Sequence, residues 1–281
     1  MADCDHNCDG CPSAGNCGEQ KIQKAKMNEL SSAKKVIAVL SGKGGVGKSF
    51  ITSYLAVSLA RKGYKVGVLD ADVTGPSIPK AFGVTEKAYG ENNLIYPLKT
   101  KSGIRIMSAN CLLDDDSEPI IWRGVLLGNL VKQFYEDVLW GELDYLLIDM
   151  PPGTGDIALT TFQMIPIDEL IIVTSPQDLV SMVVTKAIKM ARMMNIKVLG
   201  VVENMSYLVC PKCDEHIKVF GDSHLDEFSK KLDFKVLGKL PIVSENATKV
   251  DSGKVEDIQL PEFESITESI LEGGQAWANL N

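Results

Sequence analysis

From Val36 onward the chain alternates short apolar runs with longer amphipathic stretches. This is the pattern of parallel strands buried on both faces and joined by crossover helices. Apolar runs predict strands at 36–41, 65–70, 144–149, 169–174, 197–203 and 235–240. Helical periodicity predicts helices at about 48–62, 120–139, 155–165, 178–194, 221–232 and 262–280. Residues 90–108 read as a short hairpin. The fold expected is α/β: a doubly wound, mainly parallel sheet with helices on both faces.

Before Val36 the pattern changes. Residues 1–20 carry Asp3, Asp5, Asp9 and Glu19 with no basic residue, whereas 21–35 carry five lysines against Glu29 alone. We therefore expect three parts: a cysteine-rich arm at 1–20, a tether at 21–35 and one large domain at 36–281. Fully extended, the stretch from Gly18 to Lys35 spans roughly 60 Å.

Charge and composition remove several function classes. A formal charge of −8, from 29 Lys+Arg against 37 Asp+Glu, supplies no basic field for nucleic acid. No run of 18 apolar residues exists, and the N-terminus lacks the basic-then-apolar order of a secretory signal. The expectation is a cytoplasmic protein that binds neither nucleic acid nor membrane. In a reducing compartment, seven clustered cysteines read as metal ligands rather than disulfides.

The most specific motif is Gly42-Lys43-Gly44-Gly45-Val46-Gly47-Lys48-Ser49, placed between the first predicted strand and the first predicted helix. Such a loop turns successive backbone N–H groups toward phosphate oxygens. Lys48 adds a point charge on the outer phosphates, Ser49 can ligate Mg2+, and the helix N-terminus faces the same anion. The chain is expected to bind ATP and hydrolyse it. Lys43 is a second lysine that a plain phosphate loop does not need, and its place suggests a charge reaching a neighbouring subunit's nucleotide.

Carboxylates stand at strand ends, where this architecture puts chemistry. Asp70 closes one strand and Asp72 follows it; one would serve Mg2+ and the other orient a water. Asp149 closes another and runs into Met150-Pro151-Pro152-Gly153-Thr154-Gly155-Asp156, a stiff turn in which the Gly153 N–H could sense a terminal phosphate. Asn204, after the apolar run 199–203, offers an amide that both donates and accepts, which suits a purine edge.

Cysteines form two groups. Cys210-Pro211-Lys212-Cys213 places two thiols on one turn, which is too few ligands for a metal or cubane site. Three completions are open: His216 and His224 around zinc, the N-terminal cysteines, or the same pair from a second copy. Twofold symmetry favours the last, because it supplies four thiolates for a 4Fe-4S cluster. Cys4, Cys8, Cys11 and Cys17, at spacings of three, two and five, resemble a cluster-binding run that a metal would have to order. Cys111 reads as a core residue.

Together the phosphate loop, Asp70-Ala71-Asp72 with Gly75-Pro76-Ser77-Ile78-Pro79, the turn 149–156, Glu203-Asn204-Met205-Ser206 and Cys210-Pro211-Lys212-Cys213 resemble the Mrp/ApbC family in content and order. These are iron-sulfur cluster carrier ATPases related to the MinD, ParA and nitrogenase iron-protein group. The resemblance covers nearly all of residues 34–255. It implies a homodimeric ATPase that hands a 4Fe-4S cluster to apo iron-sulfur proteins.

Site roles follow from the same resemblance. Lys43 reaches across a nucleotide-sandwich dimer, Lys48 and Ser49 hold phosphates and Mg2+, and Asp72 positions the attacking water. Asp149 supports Mg2+, Asn204 reads adenine, and Cys210 with Cys213 bridges the cluster. Cys8, Cys11 and Cys17 match the C-x2-C-x5-C of the eukaryotic-type branch, from which Cys4 departs. The chain also departs after Leu240-Pro241, where Ile242-Val243-Ser244-Glu245 replaces the family's acidic residue and proline.

Two rival readings make different demands. A MinD-like or ParA-like spatial organiser would need a membrane or DNA surface. The segment from Pro261 to Asn281 carries Glu262, Glu264, Glu268 and Glu272 with no lysine or arginine, so an anionic bilayer would repel it. A nitrogenase-like reductase would hold its cluster with cysteines far apart in sequence, unlike this adjacent pair.

Overall fold

A computed structural model describes residues 24–73, 75, 77–112, 124–176 and 180–278. The expected cysteine arm, with Cys4, Cys8, Cys11 and Cys17, lies outside these residues. In chain order the strands are β1 (Ser32–Ser41), β2 (Val66–Asp70), β3 (Tyr89–Glu91), β4 (Leu94–Tyr96), β5 (Leu98–Lys99), β6 (Arg105–Met107), β7 (Glu142–Asp149), β8 (Glu169–Thr174), β9 (Lys197–Val209), β10 (His216–Ile217) and β11 (Val236–Pro241). The helices are α1 (Lys48–Arg61), α2 (Ile78–Phe82), α3 (Gly124–Asp137), α4 (Asp156–Met164), α5 (Val180–Met193), α6 (Leu225–Leu232), α7 (Ser244–Asp251) and α8 (Glu264–Ala278).

The main sheet runs β10-β9-β8-β1-β7-β2-β6-β5, with β11 also paired to β9. Its body is parallel; only β5 on β6 and β10 on β9 are antiparallel. The apolar runs of β1, β7 and β8 are buried on both faces because helices cover each side. Phe134, Phe162, Ala187 and Ile188 from α3, α4 and α5 pack on one face. Leu55, Phe82 and Ile266 from α1, α2 and α8 pack on the other.

Every expected strand is present, and the differences have local causes. The hairpin expected at 90–108 resolves into two pairs, β3–β4 and β5–β6. The first closes on Asn92 and Asn93, both left-handed at φ 52° and 63°, which matches the right-handed twist of a two-residue hairpin. β1 begins at Ser32, where pairing with Glu142 of β7 extends the apolar run with polar residues that periodicity does not mark. Upstream, the Ala25 N–H donates to Met164 O at 2.7 Å, and the Asn28 amide donates to Glu136 O and Val138 O at 2.9 and 2.8 Å. The body therefore begins by Lys24, and the expected 21–35 tether ends sooner than its charge pattern indicated. Short helices α2 and α7 were not anticipated, being only five and eight residues long. No helix among the described residues is long and apolar enough to cross a membrane.

Candidate functional site

β1, β7 and β2 end side by side, with Val39 and Asp70 each in register with Asp149. The loop 42–47 leaves β1 at this edge and opens α1. Gly45 and Gly47 take φ 79° and 82°, left-handed values that only glycine adopts cheaply. A Cβ added at Gly44 or Gly45 would project into open space, while one at Gly47 would lie 2.2 Å from the Asn204 amide nitrogen. This backbone fits a phosphate cradle, because side chains at 44 and 45 would crowd the face that N–H groups must present. Lys43 sits half-buried at the loop's start, its carbonyl taking the Ser41 hydroxyl at 2.9 Å.

Asp149 is the hub. It is fully buried and accepts from Lys48 Nζ at 2.7 Å and Ser49 Oγ at 2.6 Å through Oδ2, and from Thr52 Oγ1 at 2.7 Å through Oδ1. Lys48 Nζ also lies 3.6 Å from Asp72 Oδ2. Lysine, magnesium-type hydroxyl and two carboxylates thus converge beside the glycine loop. Thr52 is the member that the sequence reading missed, although its place four residues after Lys48 puts it on the same face of α1.

Asp70 behaves differently from expectation. It is fully buried, and it accepts from the Asp72 N–H at 3.1 Å, the Ser108 hydroxyl at 3.2 Å and the Ile78 N–H at 3.4 Å. It therefore shapes the 70–78 loop from within rather than presenting a free carboxylate to a nucleotide. Burial, then repulsion from Asp149, pushes its pKa up to about 8, against the pull of Lys48. Between the ordinary carboxylate value and about 8 the folded state holds a proton that the unfolded chain has lost. This contribution to stability therefore declines as pH rises through that window. Asp70→Asn is expected to flatten this slope, read as the melting temperature of the nucleotide-free protein from pH 4 to 8; an unchanged slope would reassign it.

The Gly153 N–H, expected to face a phosphate, donates instead to Ser41 O at 2.7 Å, with Gly153 at φ 89°. It ties the turn after β7 to the end of β1, so meeting a phosphate requires exchanging that bond. The Asn204 side chain is buried and donates to Val46 O at 3.0 Å, which joins β9 to the phosphate loop. The next residue, Met205, is left-handed at φ 59°, a strained value inside β9 beside the site. Asn204, Met205, Phe50, Pro241, Ile242 and Val243 line a mostly apolar cavity of about 300 Å³, closed on its far side by α7. The departure at 242–245 is thus accommodated, since Ile242, Val243 and Ser244 themselves form the wall.

Cys210 and Cys213 occupy the turn between β9 and β10. The Cys210 N–H donates to Glu215 O at 2.9 Å, the Asp214 N–H donates to Cys210 O at 3.0 Å, and Asp214 is left-handed at φ 57°. Cys213 is exposed and Cys210 half-buried. The Lys212 N–H, then the Cys213 thiol and N–H, bond to the Cys210 sulfur and hold its thiol below the ordinary value. His216 stacks on Tyr207 with ring centroids 4.2 Å apart, and His224 lies 3.7 Å from Glu227. No group of three or more His, Cys, Asp and Glu among the described residues is arranged to hold a metal, so His216 and His224 do not complete the thiol pair within them. Cys111 is buried, as expected.

The chain is similar to proteins already known. A family profile described as NUBPL iron-transfer P-loop NTPase, of the ParA group, matches residues 32–272. An iron-sulfur cluster carrier protein of Clostridium perfringens is 46% identical over 262 residues, covering 89% of this chain and 92% of its own. One from Methanocaldococcus jannaschii is 49% identical over 250 residues, covering 86% of each. Among solved structures, an Archaeoglobus fulgidus nucleotide-binding protein in complex with ADP, in which cobalt was found, is 42% identical with TM-score 0.74, covering 83% of this chain and 91% of that one. The cell division ATPase MinD of Pyrococcus furiosus, 21% identical with TM-score 0.63 over 85% of this chain and 99% of its own, shares the fold.

Proposed function

The chain belongs to the NUBPL iron-transfer P-loop NTPase family of iron-sulfur cluster carriers, and from that premise we propose that it is a homodimeric, ATP-hydrolysing carrier of a 4Fe-4S cluster. Cys210 and Cys213 of two copies hold the cluster, which passes to apo iron-sulfur proteins in the cytoplasm. The observation that carries this reading is a paired-thiol turn without a third ligand among the described residues. A second copy related by a twofold axis doubles the pair to four thiolates. Exposed Val209, Ile217, Val219 and Phe220 surround the turn and suit such an interface.

Nucleotide chemistry follows from the hub. The N–H groups of 44–48 and the Lys48 ammonium bind and orient the phosphates, and Lys43 reaches the partner's nucleotide. Mg2+ would be held by Ser49 with Asp149 behind it, and supplies neutralising charge on the phosphate oxygens. Asp72 orients a water toward the terminal phosphorus; that water's oxygen bonds to phosphorus as the bond to ADP breaks. Asp70 holds the Asp72 loop, Gly153 couples the 150–155 turn to the phosphate, and Asn204 reads adenine from the apolar cavity. Residues 1–20, through Cys8, Cys11 and Cys17 with Cys4, form a second cluster module.

The test is anaerobic reconstitution with ferrous iron and sulfide, followed by iron, sulfide and zinc analysis with light scattering. Iron and sulfide on a dimer support the reading, while zinc alone on a monomer rejects it. Separately, Asn204→Ala is expected to weaken ADP binding about tenfold, the scale of one or two lost hydrogen bonds, because the Val46 tether and the purine contact go together. Calorimetric titration checks it, and an unchanged affinity would remove Asn204 from the base pocket.

A further inference from the structure

Glu203 stands beside Asn204, within a sequence motif from which only the asparagine has so far received a role. We propose, resting on the assignment of Cys210 and Cys213 as cluster ligands, that Glu203 is a positioning residue. It fastens the return leg of the cysteine hairpin to the strand bearing Asn204, so that base pocket and thiol pair move as one unit.

The geometry is specific. Glu203 is buried, paired in register with Thr174 of β8 and Lys239 of β11. Its Oε1 accepts the Ser206 hydroxyl at 2.5 Å and its Oε2 the Ser223 hydroxyl at 2.8 Å. In a regular strand, residues three apart point to opposite faces, so Ser206 would turn away from Glu203. The left-handed Met205 resets that alternation, and the β9–β11 register shifts over the same stretch. The backbone irregularity beside the base pocket therefore creates one half of the clasp.

Ser223 supplies the other half. It lies after β10, on the chain returning from the cysteine turn, and its hydroxyl also takes the Leu225 N–H at 3.4 Å. Leu225 is buried at the start of α6, which anchors the return leg in the core. On the outgoing side, β9 runs unbroken from Asn204 to Val209, so Cys210 lies at most about 20 Å along the strand. Both legs of the hairpin thus lead back to residues 203 and 204. Burying a carboxyl group is costly unless it is bonded, and here each oxygen takes one serine hydroxyl. One side chain thus holds both serines.

The experiment reads thiol reactivity and needs no cluster. Reduced, metal-free full-length protein is alkylated with and without saturating Mg·ADP, and the rates at Cys210 and Cys213 are followed by peptide mass spectrometry. In the parent protein, ADP is expected to change these rates. Ser223→Ala, at a half-buried surface position, is expected to bind ADP as before while its two cysteines react about fivefold faster, the opening factor for one lost hydrogen bond. ADP should no longer alter that rate. Glu203→Ala should behave alike, and Glu203→Gln, which offers a partner to each hydroxyl, should restore the response. The proposal is overturned if ADP leaves the parent rates unchanged, or if Ser223→Ala keeps the parent response. A protein that never takes up iron yet shows this pattern would reject the carrier reading while leaving the clasp intact.

Discussion

Lys48→Ala is expected to reduce ATP hydrolysis by about 10³-fold or more, the loss that follows removal of a preorganised charge from a phosphoryl-transfer site. Lys48 is buried and lies 2.7 Å from Asp149 and 3.6 Å from Asp72, so one ammonium serves both carboxylates where the proposed site receives the outer phosphates. The fold should survive, since Ser49 and Thr52 still donate to Asp149. Stability should nonetheless fall, because breaking a buried ion pair leaves a charge behind at a cost of about 3–5 kcal/mol. Phosphate release and thermal melts measure both effects. Activity within tenfold of the parent would withdraw Lys48 from the mechanism.

The second large effect concerns the thiols. If the proposed dimer-bridging cluster forms, Cys210→Ala/Cys213→Ala is expected to remove it, about four irons per dimer, from anaerobically reconstituted protein. Any iron held by the N-terminal cysteines should remain, so the difference between parent and variant isolates this site. The turn is partly exposed and its backbone bonds from Cys210 to Glu215 and Asp214 are independent of sulfur, so folding should be unaffected. ADP affinity should also hold, because neither thiol lines the base cavity. Equal iron in parent and variant would move the cluster elsewhere.

The same residues show how far the sequence reaches. That Lys48, Ser49, Asp72 and Asp149 lie together was legible, because a glycine loop between strand and helix, with carboxylates at strand ends, constrains the local backbone. Gly153 and Asp70 were legible as strand-end neighbours of that cluster but not in their bonding. Nothing along the chain states that Ser41 O will take the Gly153 N–H, or that Ser108, 38 residues beyond Asp70, will supply a hydroxyl to it. Helix α7 was missed because eight mostly polar residues carry little periodic signal, yet it closes the cavity beside Asn204. The Glu203 clasp depends on a left-handed methionine, which no propensity rule would place inside a strand.

By itself, the sequence determined the strand and helix alternation, the phosphate loop and the paired-thiol turn, since each depends on neighbours within a few residues. Tertiary structure alone decided which carboxylate faces the lysine, which is shut inside as a loop anchor, and which chain segments are fastened to each other. Those outcomes depend on burial and on contacts between residues a hundred or more positions apart, as between Lys48 and Asp149 or Val46 and Asn204. Burial sets the charge state, and contact sets the partner.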